Sequence, residues 1–409
     1  MNIVLEPGAA ALLDELHRAG FGAYAVGGCV RDSLLGLAPH DWDLCTAARP
    51  GQVMELFGED RCIPTGLQHG TVTVKRDGKL YEITTFRTEG RYSDGRHPDS
   101  VAFVPDLRED LARRDFTINA MAYSAEEGLC DPFGGREDLA RGVVRAVGEP
   151  LRRFGEDALR ILRLYRFAAR FGFAIDEATE AAAKQLASHL DCVSAERIEE
   201  ELNKLLAAPQ PGAYLEPEVL AFVLPELPPE ELTKARRRID ALPAGTEQVS
   251  ARWAALLLPL GETGARKALK RLKCSNARID GAAALVRECG EKTPDALDKC
   301  DLRLQAKRLL GKYDLHTVQQ LTALWTALAP EEKASFDALR AEAEALTAQG
   351  VCCRISQLAV NGRDLMEAGA APGPGLRRVL EALLEEVITG RLPNEKTELL
   401  AFAAGFSAS

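Results

Sequence analysis

The sequence has no hydrophobic run long enough to cross a bilayer and no cysteine spacing typical of a metal site. The apolar stretch 254–260 has the length of a buried helix, far short of the roughly 18 residues of a membrane span. The ten cysteines include no CxxC pair, which argues against a zinc site. The first residues lack the basic segment of a signal peptide, so a disulfide framework is not expected. We therefore expect a cytoplasmic protein that makes no use of a membrane.

An excess of positive charge is also missing. The formal net charge of −10 argues against indiscriminate binding to nucleic acid. Two local basic stretches remain, at 234–238 and 265–278. In the second, a helix would carry Lys267, Lys270 and Arg271 on a ridge of positive charge. These three side chains are our candidates for contacts with a phosphate backbone, and a solvated helix face is the alternative.

The pattern of secondary structure changes along the chain. Short β-like runs punctuated by Gly, Pro and Asp fill about the first 145 residues, at 23–26, 42–45, 71–74, 79–86, 101–104 and 119–123. From about residue 149 the sequence predicts helices, with breaks at 208–212, 224–231, 241–245 and 368–375. The segment 87–100 predicts neither strand nor helix, and is either a disordered excursion or a mobile functional element. The expected fold class is α+β, a small α/β head followed by a long helical part.

Asp41 and Asp43 form a DxD motif in the second predicted strand. Residues i and i+2 of a strand share a face, so both carboxylates would project together while Trp42 and Leu44 face the core. Two neighbouring carboxylates suit Mg²⁺, whose coordination is usually completed by substrate phosphates. Glu82, on a neighbouring strand, is a candidate third carboxylate. The alternatives are a surface turn or salt bridge for the pair and an ordinary edge-strand glutamate for Glu82.

The stretch "AYAVGGCVRDSLLG" predicts a strand, a Gly-Gly turn and a helix. Gly27 and Gly28 would let the backbone approach a phosphate, and the helix that follows offers free amide donors. Arg31 would grip a triphosphate, with Asp32 as its partner or as a complement to the helix dipole. The motif GxxxxGK[ST] is absent, so this is not a P-loop. A phosphate-binding turn followed by a metal-binding carboxylate pair is typical of nucleotidyltransferases.

Five segments in order closely resemble the motifs of class II tRNA nucleotidyltransferases, the CCA-adding enzymes. They are "VGGCVRDSLLGLAPHDWDLCT", "RRDFTINAMAY", "DPFGGREDLARGVVRAVG", "EDALRILRLYRFAARFGF" and "AERIEEELNKLL". The resemblance is strong over residues 1–210 and looser over 355–400. It implies a polymerase-β-like catalytic head (1–145), a helical neck (146–210), a helical body (211–340) and a tRNA-binding helical tail (341–409). Bacterial poly(A) polymerases share most of the head.

Asp157 and Arg160 explain how such a protein could select bases. They lie at i and i+3, so one helix face would carry an acceptor beside a donor. Cytosine and adenine offer an amino group beside a ring nitrogen, whereas uracil and guanine present the reverse. A wrong base would leave buried groups unpaired. The resemblance assigns this role to Asp157 and Arg160.

The resemblance also implies roles for nearby residues. Arg163 and Arg166 would line the nucleotide pocket, although the arginine row could instead be a solvated face with pairs such as Glu156–Arg160. Arg114 would bind the sugar or phosphates. Asp115 and Asn119 are ribose-side or structural residues, and Glu196 and Arg197 are expected to be structural.

The implied activity is template-independent addition of C, C and A, from CTP and ATP, to the 3′ end of tRNA, with Mg²⁺ as cofactor. The segment 87–100 disfavours an enzyme that adds only CC, because such enzymes lack a loop there. Alternatives are an A-adding enzyme or a bacterial poly(A) polymerase, and, more remotely, an inactive RNA-binding protein. The C-terminal half has no His-Asp pair that would indicate a fused phosphohydrolase.

Overall fold

A computed structural model describes residues 3–90, 101–291 and 301–406 of the chain. The chain forms two compact units. The first comprises Met1–Pro229 with Arg271–Lys273, and the second comprises Glu230–Lys270 with Cys274–Ser409. The four domain boundaries expected from the sequence stay a prediction. No helix in the described ranges is long and apolar enough to span a membrane.

A mixed sheet organises the first unit. Among the described residues, seven strands form it in the order β3-β4-β5-β2-β1-β8-β9. These strands are β1 (Ala23–Val26), β2 (Leu44–Thr46), β3 (Cys62–Gly66), β4 (Thr71–Arg76), β5 (Lys79–Thr85), β8 (Ala122–Ser124) and β9 (Gly128–Cys130). The pair β2–β5 is parallel and the other neighbours are antiparallel. Its parallel pair brings segments about 40 residues apart into register at the centre of the sheet.

Burial explains why these segments form strands. All four side chains of β1 are buried, as a central strand covered on both faces requires. In β5, Tyr81 and Ile83 are buried while Glu82 between them is exposed, which is the alternation of a half-covered sheet. The predicted strands 23–26, 71–74, 79–86 and 101–104 are confirmed to within two residues.

Helices surround the sheet and extend the first unit. They are α1 (Pro7–Arg18), α2 (Gly28–Leu34), α3 (Pro50–Phe57), α4 (Leu107–Ala112), α5 (Gly135–Arg141), α6 (Pro150–Glu156), α7 (Leu159–Phe171), α8 (Glu177–Gln185), α9 (Ala195–Leu206) and α10 (Pro217–Val223). Two small sheets accompany them, β6 (Arg87–Glu89) with β7 (Val101–Phe103), and β10 (Val143–Val144) with β11 (Ala174–Ile175). Helix α1 contacts β1, with Leu12, Leu13 and Leu16 buried.

Two local predictions are wrong. Residues 87–89 of the segment expected to be irregular form β6, because they pair with β7; residues 91–100 lie outside the described ranges. Asp157 and Arg160 do not share one helix. Asp157 has extended backbone angles (φ −144°, ψ 105°) between α6 and α7, and Arg160 lies in the first turn of α7.

Helices joined by turns and loops make up the second unit, and its described residues include no strand. Its helices are α11 (Pro229–Asp240, whose first residue belongs to the first unit), α12 (Val249–Leu257), α13 (Gly261–Arg271), α14 (Asn276–Glu291), α15 (Leu302–Lys312), α16 (Leu315–Leu328), α17 (Lys333–Ala348), α18 (Gly362–Glu367), α19 (Pro374–Ile388) and α20 (Lys396–Phe406). The four predicted breaks fall between helices, although the last residues of 224–231 and 368–375 belong to the helices that follow. The α+β class, a mixed-sheet head followed by helices, is confirmed.

Candidate active site

A cleft of about 940 Å³ opens in the first unit. Nine arginines, one lysine and five carboxylates are among its lining residues, so cationic side chains outnumber acids two to one. The cleft therefore suits a polyanion such as a nucleoside triphosphate. All of the sequence-predicted catalytic and nucleotide-binding residues line it: Gly27, Gly28, Arg31, Asp41, Asp43, Glu82, Arg114, Asp157, Arg160, Arg163 and Arg166.

The predicted carboxylates meet where β2 and β5 run side by side. The parallel register places Leu44 opposite Ile83, so Asp43 and Glu82, one residue earlier on each segment, fall side by side on the other face. The strand β2 begins at Leu44, so the expectation that the DxD motif lies within a strand is wrong. The alternation nevertheless holds, since Asp41 and Asp43 are exposed whereas Leu44 is buried.

Like charges crowd this position. The surrounding protein, which removes water, and the neighbouring carboxylates Glu82 and Asp41 raise the pKa of Asp43. Asp41 also pairs with His40, Nδ1 to Oδ2 at 3.0 Å. Within the described ranges no three His, Cys, Asp or Glu side chains form a ready-made metal cage. Two carboxylates with open sides fit a cation whose shell is completed by phosphate oxygens.

The Gly-Gly turn is built as the sequence predicts. Gly27 has φ +77° and directly precedes α2. A Cβ on Gly27 would come within 2.9 Å of Nη1 of Arg114, so the glycine is needed both for its backbone angle and for space. The absence of a side chain at Gly27 thus lets the Arg114 guanidinium lie against the turn.

Arg31 does not have the open position expected of a residue that binds a triphosphate. It lines the cleft, but only 4% of its surface is exposed. Its guanidinium donates to Asp32 at 2.8 Å and to Oδ1 of Asn119 at 2.5 Å. Asp32 also pairs with Arg170 at 3.0 Å. Arg31 is therefore held inside the protein, and Asp32 is its partner, one of the two roles considered for it.

Asp115 connects Asn119 to helix α7 within the cleft. It accepts from Nδ2 of Asn119 at 3.0 Å and from Nη2 of Arg163 at 2.6 Å. Although burial opposes ionisation, Arg163 and Asn119 hold the pKa of Asp115 well below its usual range. Asp115 and Asn119 thus position the arginines, which favours the structural reading of both.

The arginine row of α7 is not a solvated face. Arg166 pairs with the buried Glu201 of α9 at 2.5 Å, and burial lowers the pKa of Arg166 to about 10. Phe167 lies between the guanidinium groups, which stand 3.9 Å (Arg166), 5.1 Å (Arg31) and 5.4 Å (Arg163) from its ring centre. The ring face attracts cations, so Phe167 offsets part of the repulsion among three like charges. Glu201 and Phe167 carried no functional signal in the sequence reasoning.

The predicted base-reading pair is held by two further residues. Asp157 accepts from Nη2 and Nη1 of Arg197, at 2.7 and 3.3 Å, and from the backbone N–H of Leu159 at 3.0 Å. Arg160 is buried and donates to Glu156 at 2.8 Å and to the carbonyl of Arg113 at 3.2 Å. Asp157 and Arg160 thus lie in one cleft with fixed orientations, although not on one helix. Arg197 lines the cleft, whereas the sequence suggested only a structural role.

The basic stretch 265–278 is only partly as expected. The helix over Gly261–Arg271 is present, and Lys267 and Lys270 are exposed on it. Arg271, however, donates to both carboxylate oxygens of Glu226, at 2.7 and 2.8 Å. Arg266, four residues before Lys270 on the same helix, pairs with Glu262 and Asp280. The expected ridge therefore reduces to the two lysines, whose contact with RNA stays a prediction.

Comparisons with known proteins agree with this site. Residues 23–145 match the family model of the poly(A) polymerase head domain. Residues 172–228 match a probable RNA- and SrmB-binding site of polymerase A, and residues 245–403 a putative tRNA nucleotidyltransferase domain 2. The chain is 38% identical over 408 residues to a CCA-adding enzyme of Limosilactobacillus fermentum, across 96% of this chain and 95% of the relative. A CCA-adding enzyme of Geobacillus stearothermophilus is 37% identical over 404 residues, covering 96% and 95%.

Solved structures show the same relationship. The crystal structure of the Bacillus stearothermophilus CCA-adding enzyme in complex with CTP superposes with a TM-score of 0.81 and 34% identity, covering 99% of this chain and 98% of that one. The Thermotoga maritima CCA-adding enzyme complexed with tRNA has the same fold, with a TM-score of 0.69 at 22% identity, covering 98% of this chain and 96% of that one. The head, the arginine-lined cleft and its carboxylates define a nucleotidyltransferase. Within that class, the chain belongs to the family of CCA-adding enzymes.

Proposed function

We propose that this nucleotidyltransferase adds C, C and A in turn to the 3′ end of tRNA, using CTP and ATP without a nucleic-acid template. Full-length similarity to CCA-adding enzymes supports the reaction. The observation that carries it in the structure is one cleft that holds the carboxylates, the arginines and the Asp157–Arg160 pair together.

The residues divide into three groups by chemistry. Arg114, beside the Gly27 turn, and Arg163 and Arg166 of α7 bind and neutralise the triphosphate. Asp157 supplies an acceptor and Arg160 donors, so C and A pair with them whereas U and G place like groups together. Arg197 and Glu156 act through this pair and orient it.

The carboxylates of the cleft are the candidates for binding a metal ion. CCA-adding enzymes, as nucleotidyltransferases, generally need a divalent metal, and we infer that Mg²⁺ is held here by Asp41 and Asp43 with Glu82 beside them. When bound there, Mg²⁺ would help to activate the attacking hydroxyl and would neutralise charge on the leaving pyrophosphate. We propose that the reaction takes place in the cytoplasm.

The test offers purified protein three tRNAs, ending at the discriminator base, at C and at CC, with each nucleotide alone. We expect C on the first two and A on the third, and no incorporation of U or G. Addition of A only to the CC-ended tRNA would show an A-adding enzyme, and long A tails would show a poly(A) polymerase. Asp41→Asn should lose at least about 1000-fold in rate while still binding tRNA, because each metal-linked step depends on that charge.

A further inference from the structure

The cleft has a second flank that the nucleotide does not account for. In the sheet order, β1 with the Gly27 turn lies on one side of the carboxylates, which lie just before β2 (Asp41 and Asp43) and on β5 (Glu82). The strands β4 and β3 lie on the other side and contribute Thr65, Gly66 and Thr71 to the lining, and the turn between them contributes His69. The carboxylates are therefore between an arginine-rich flank and a hydroxyl-bearing flank.

The second flank is organised by two pairs of threonines. Thr65 Oγ1 lies 2.8 Å from Thr73 Oγ1, and Thr71 Oγ1 lies 3.0 Å from Thr84 Oγ1. Within each pair one hydroxyl donates to the other, which leaves one O–H and free lone pairs for a third group. A bulge in the β3–β4 pairing, between Ile63 and Gly66, accompanies the contact of Thr65 with Thr73.

The register joins these hydroxyls to the carboxylates. Thr73 pairs with Glu82 and Thr71 with Thr84 across β4 and β5, so all four side chains share the sheet face that carries Glu82. Arg87, which also lines the cleft, donates to the backbone carbonyl of His69. The flank thus presents neutral hydroxyls beside the catalytic carboxylates, a chemistry suited to a sugar.

We propose that Thr65 and Thr71 bind the 3′-terminal ribose of the RNA acceptor, through its hydroxyl groups. This inference rests on the proposed function and adds the binding site of the second substrate, the RNA acceptor. In-line transfer requires the acceptor hydroxyl and the leaving pyrophosphate on opposite sides of the reacting phosphorus, as the two flanks are placed about the carboxylates. The terminal base of the acceptor changes at each addition. The acceptor site must therefore contact the group that every acceptor shares, which is the terminal ribose. The 2′-hydroxyl distinguishes that ribose from deoxyribose.

The experiment measures single-turnover addition of A to a CC-ended tRNA whose terminal ribose carries either a 2′-hydroxyl or a 2′-hydrogen. The loss of one neutral hydrogen bond corresponds to a factor of about 5 to 10 in rate. We therefore expect the unmodified protein to extend the ribose acceptor faster than the deoxyribose acceptor by that factor. Thr65→Val or Thr71→Val should reduce the preference towards unity by slowing the ribose acceptor alone, with an unchanged KM for ATP. Thr65→Ser, which keeps the hydroxyl, should retain the preference, and so should Thr326→Val, whose hydroxyl binds the carbonyl of Thr322 in α16.

The results separate this inference from the proposed function. Failure of the unmodified protein to extend any of the three tRNA ends would refute the proposed function. Normal extension without a 2′-hydroxyl preference, or with a preference that survives both valine variants, would overturn the ribose site alone. A raised KM for ATP in the valine variants would assign these threonines to the nucleotide and equally overturn the inference. The 2′-deoxy acceptor tests the unmodified protein even if a variant fails to fold.

Discussion

Replacing Arg197 by methionine tests whether the Asp157 carboxylate must be held in place. Methionine keeps much of the length of the side chain but donates no hydrogen bond, so the two bonds at 2.7 and 3.3 Å are lost. Only 14% of the Asp157 side chain and 21% of the Arg197 side chain are exposed, so water replaces the lost partner poorly. The backbone N–H of Leu159 remains as a donor to Asp157.

The magnitude follows from the bonds removed. Hydrogen bonds to charged groups contribute about 1.5–3 kcal/mol, which corresponds to about 10- to 150-fold in rate. C and A use the Asp157 acceptor in the proposed mechanism, whereas U and G do not. We therefore expect kcat/KM for CTP and ATP to fall by that factor, with little change for UTP and GTP. The ratio of kcat/KM between the correct and the incorrect nucleotides should fall by the same factor.

The assay compares kcat/KM for the four nucleotides on matched tRNA ends, with thermal unfolding of the same samples. Arg141→Met is the matched control, because Arg141 pairs with Glu137 at 2.6 Å on the surface, where both side chains are more than 60% exposed. Such exposed pairs contribute about 0–1 kcal/mol, and no change in selectivity is expected. Unaltered discrimination in Arg197→Met, at an unaltered melting temperature, would refute the positioning role.

Three further predictions concern other parts of the molecule. Gly27→Ala should raise KM for both nucleotides, because it strains a φ of +77° by about 1–2 kcal/mol and displaces Arg114; an unchanged KM would contradict this. Binding of tRNA should weaken as salt rises, and Lys267→Gln with Lys270→Gln should flatten that slope; an identical slope would remove both lysines from the interface. Glu6→Gln should destabilise the protein in urea unfolding at neutral pH. Although burial opposes it, bonds from Tyr81 and Lys79 lower the pKa of Glu6 from 4.5 to about 2, so the stabilisation is present above about 4.5 and is lost as pH falls towards about 2. A destabilisation that persists unchanged down to pH 2 would contradict the assignment.

Local patterns predicted much of the fold. The strand–turn–helix at the Gly-Gly pair and the breaks between the helices of the second unit depend on residues close in sequence, and the structure confirms them. The segment "EDALRILRLYRF", which has helical spacing and no proline or glycine, predicted one helix carrying both Asp157 and Arg160. Asp157 departs from it because its carboxylate accepts from Leu159 N–H and from Arg197, and that second partner is 40 residues away. Spacing alone does not reveal such a contact.

The site shows the same division. The carboxylates and arginines could be named from motifs, and so could two partners close in sequence, Asp32 for Arg31 and Glu156 for Arg160, whereas the distant partners could not. A buried arginine requires a buried acceptor, yet nothing in the sequence says that Arg166 takes Glu201 or that Arg31 takes Asn119. The threonine pairs depend on the register of β3, β4 and β5 and on a bulge, neither of which residue types specify. Side chains that support others are therefore the part that sequence reasoning missed.

The ring of Phe167, with three guanidinium groups around it, has a consequence for turnover. Arg31 is held by its internal partners, but Arg163 and Arg166 belong to the excess of cationic side chains that lines the cleft. These side chains attract whichever anion is present and do not distinguish a triphosphate from the pyrophosphate that the reaction releases. Departure of the product must therefore compete with the same attraction that admits the substrate. An enzyme built in this way is slowed by its own by-product, and enzymatic hydrolysis of free pyrophosphate in its surroundings would keep it working.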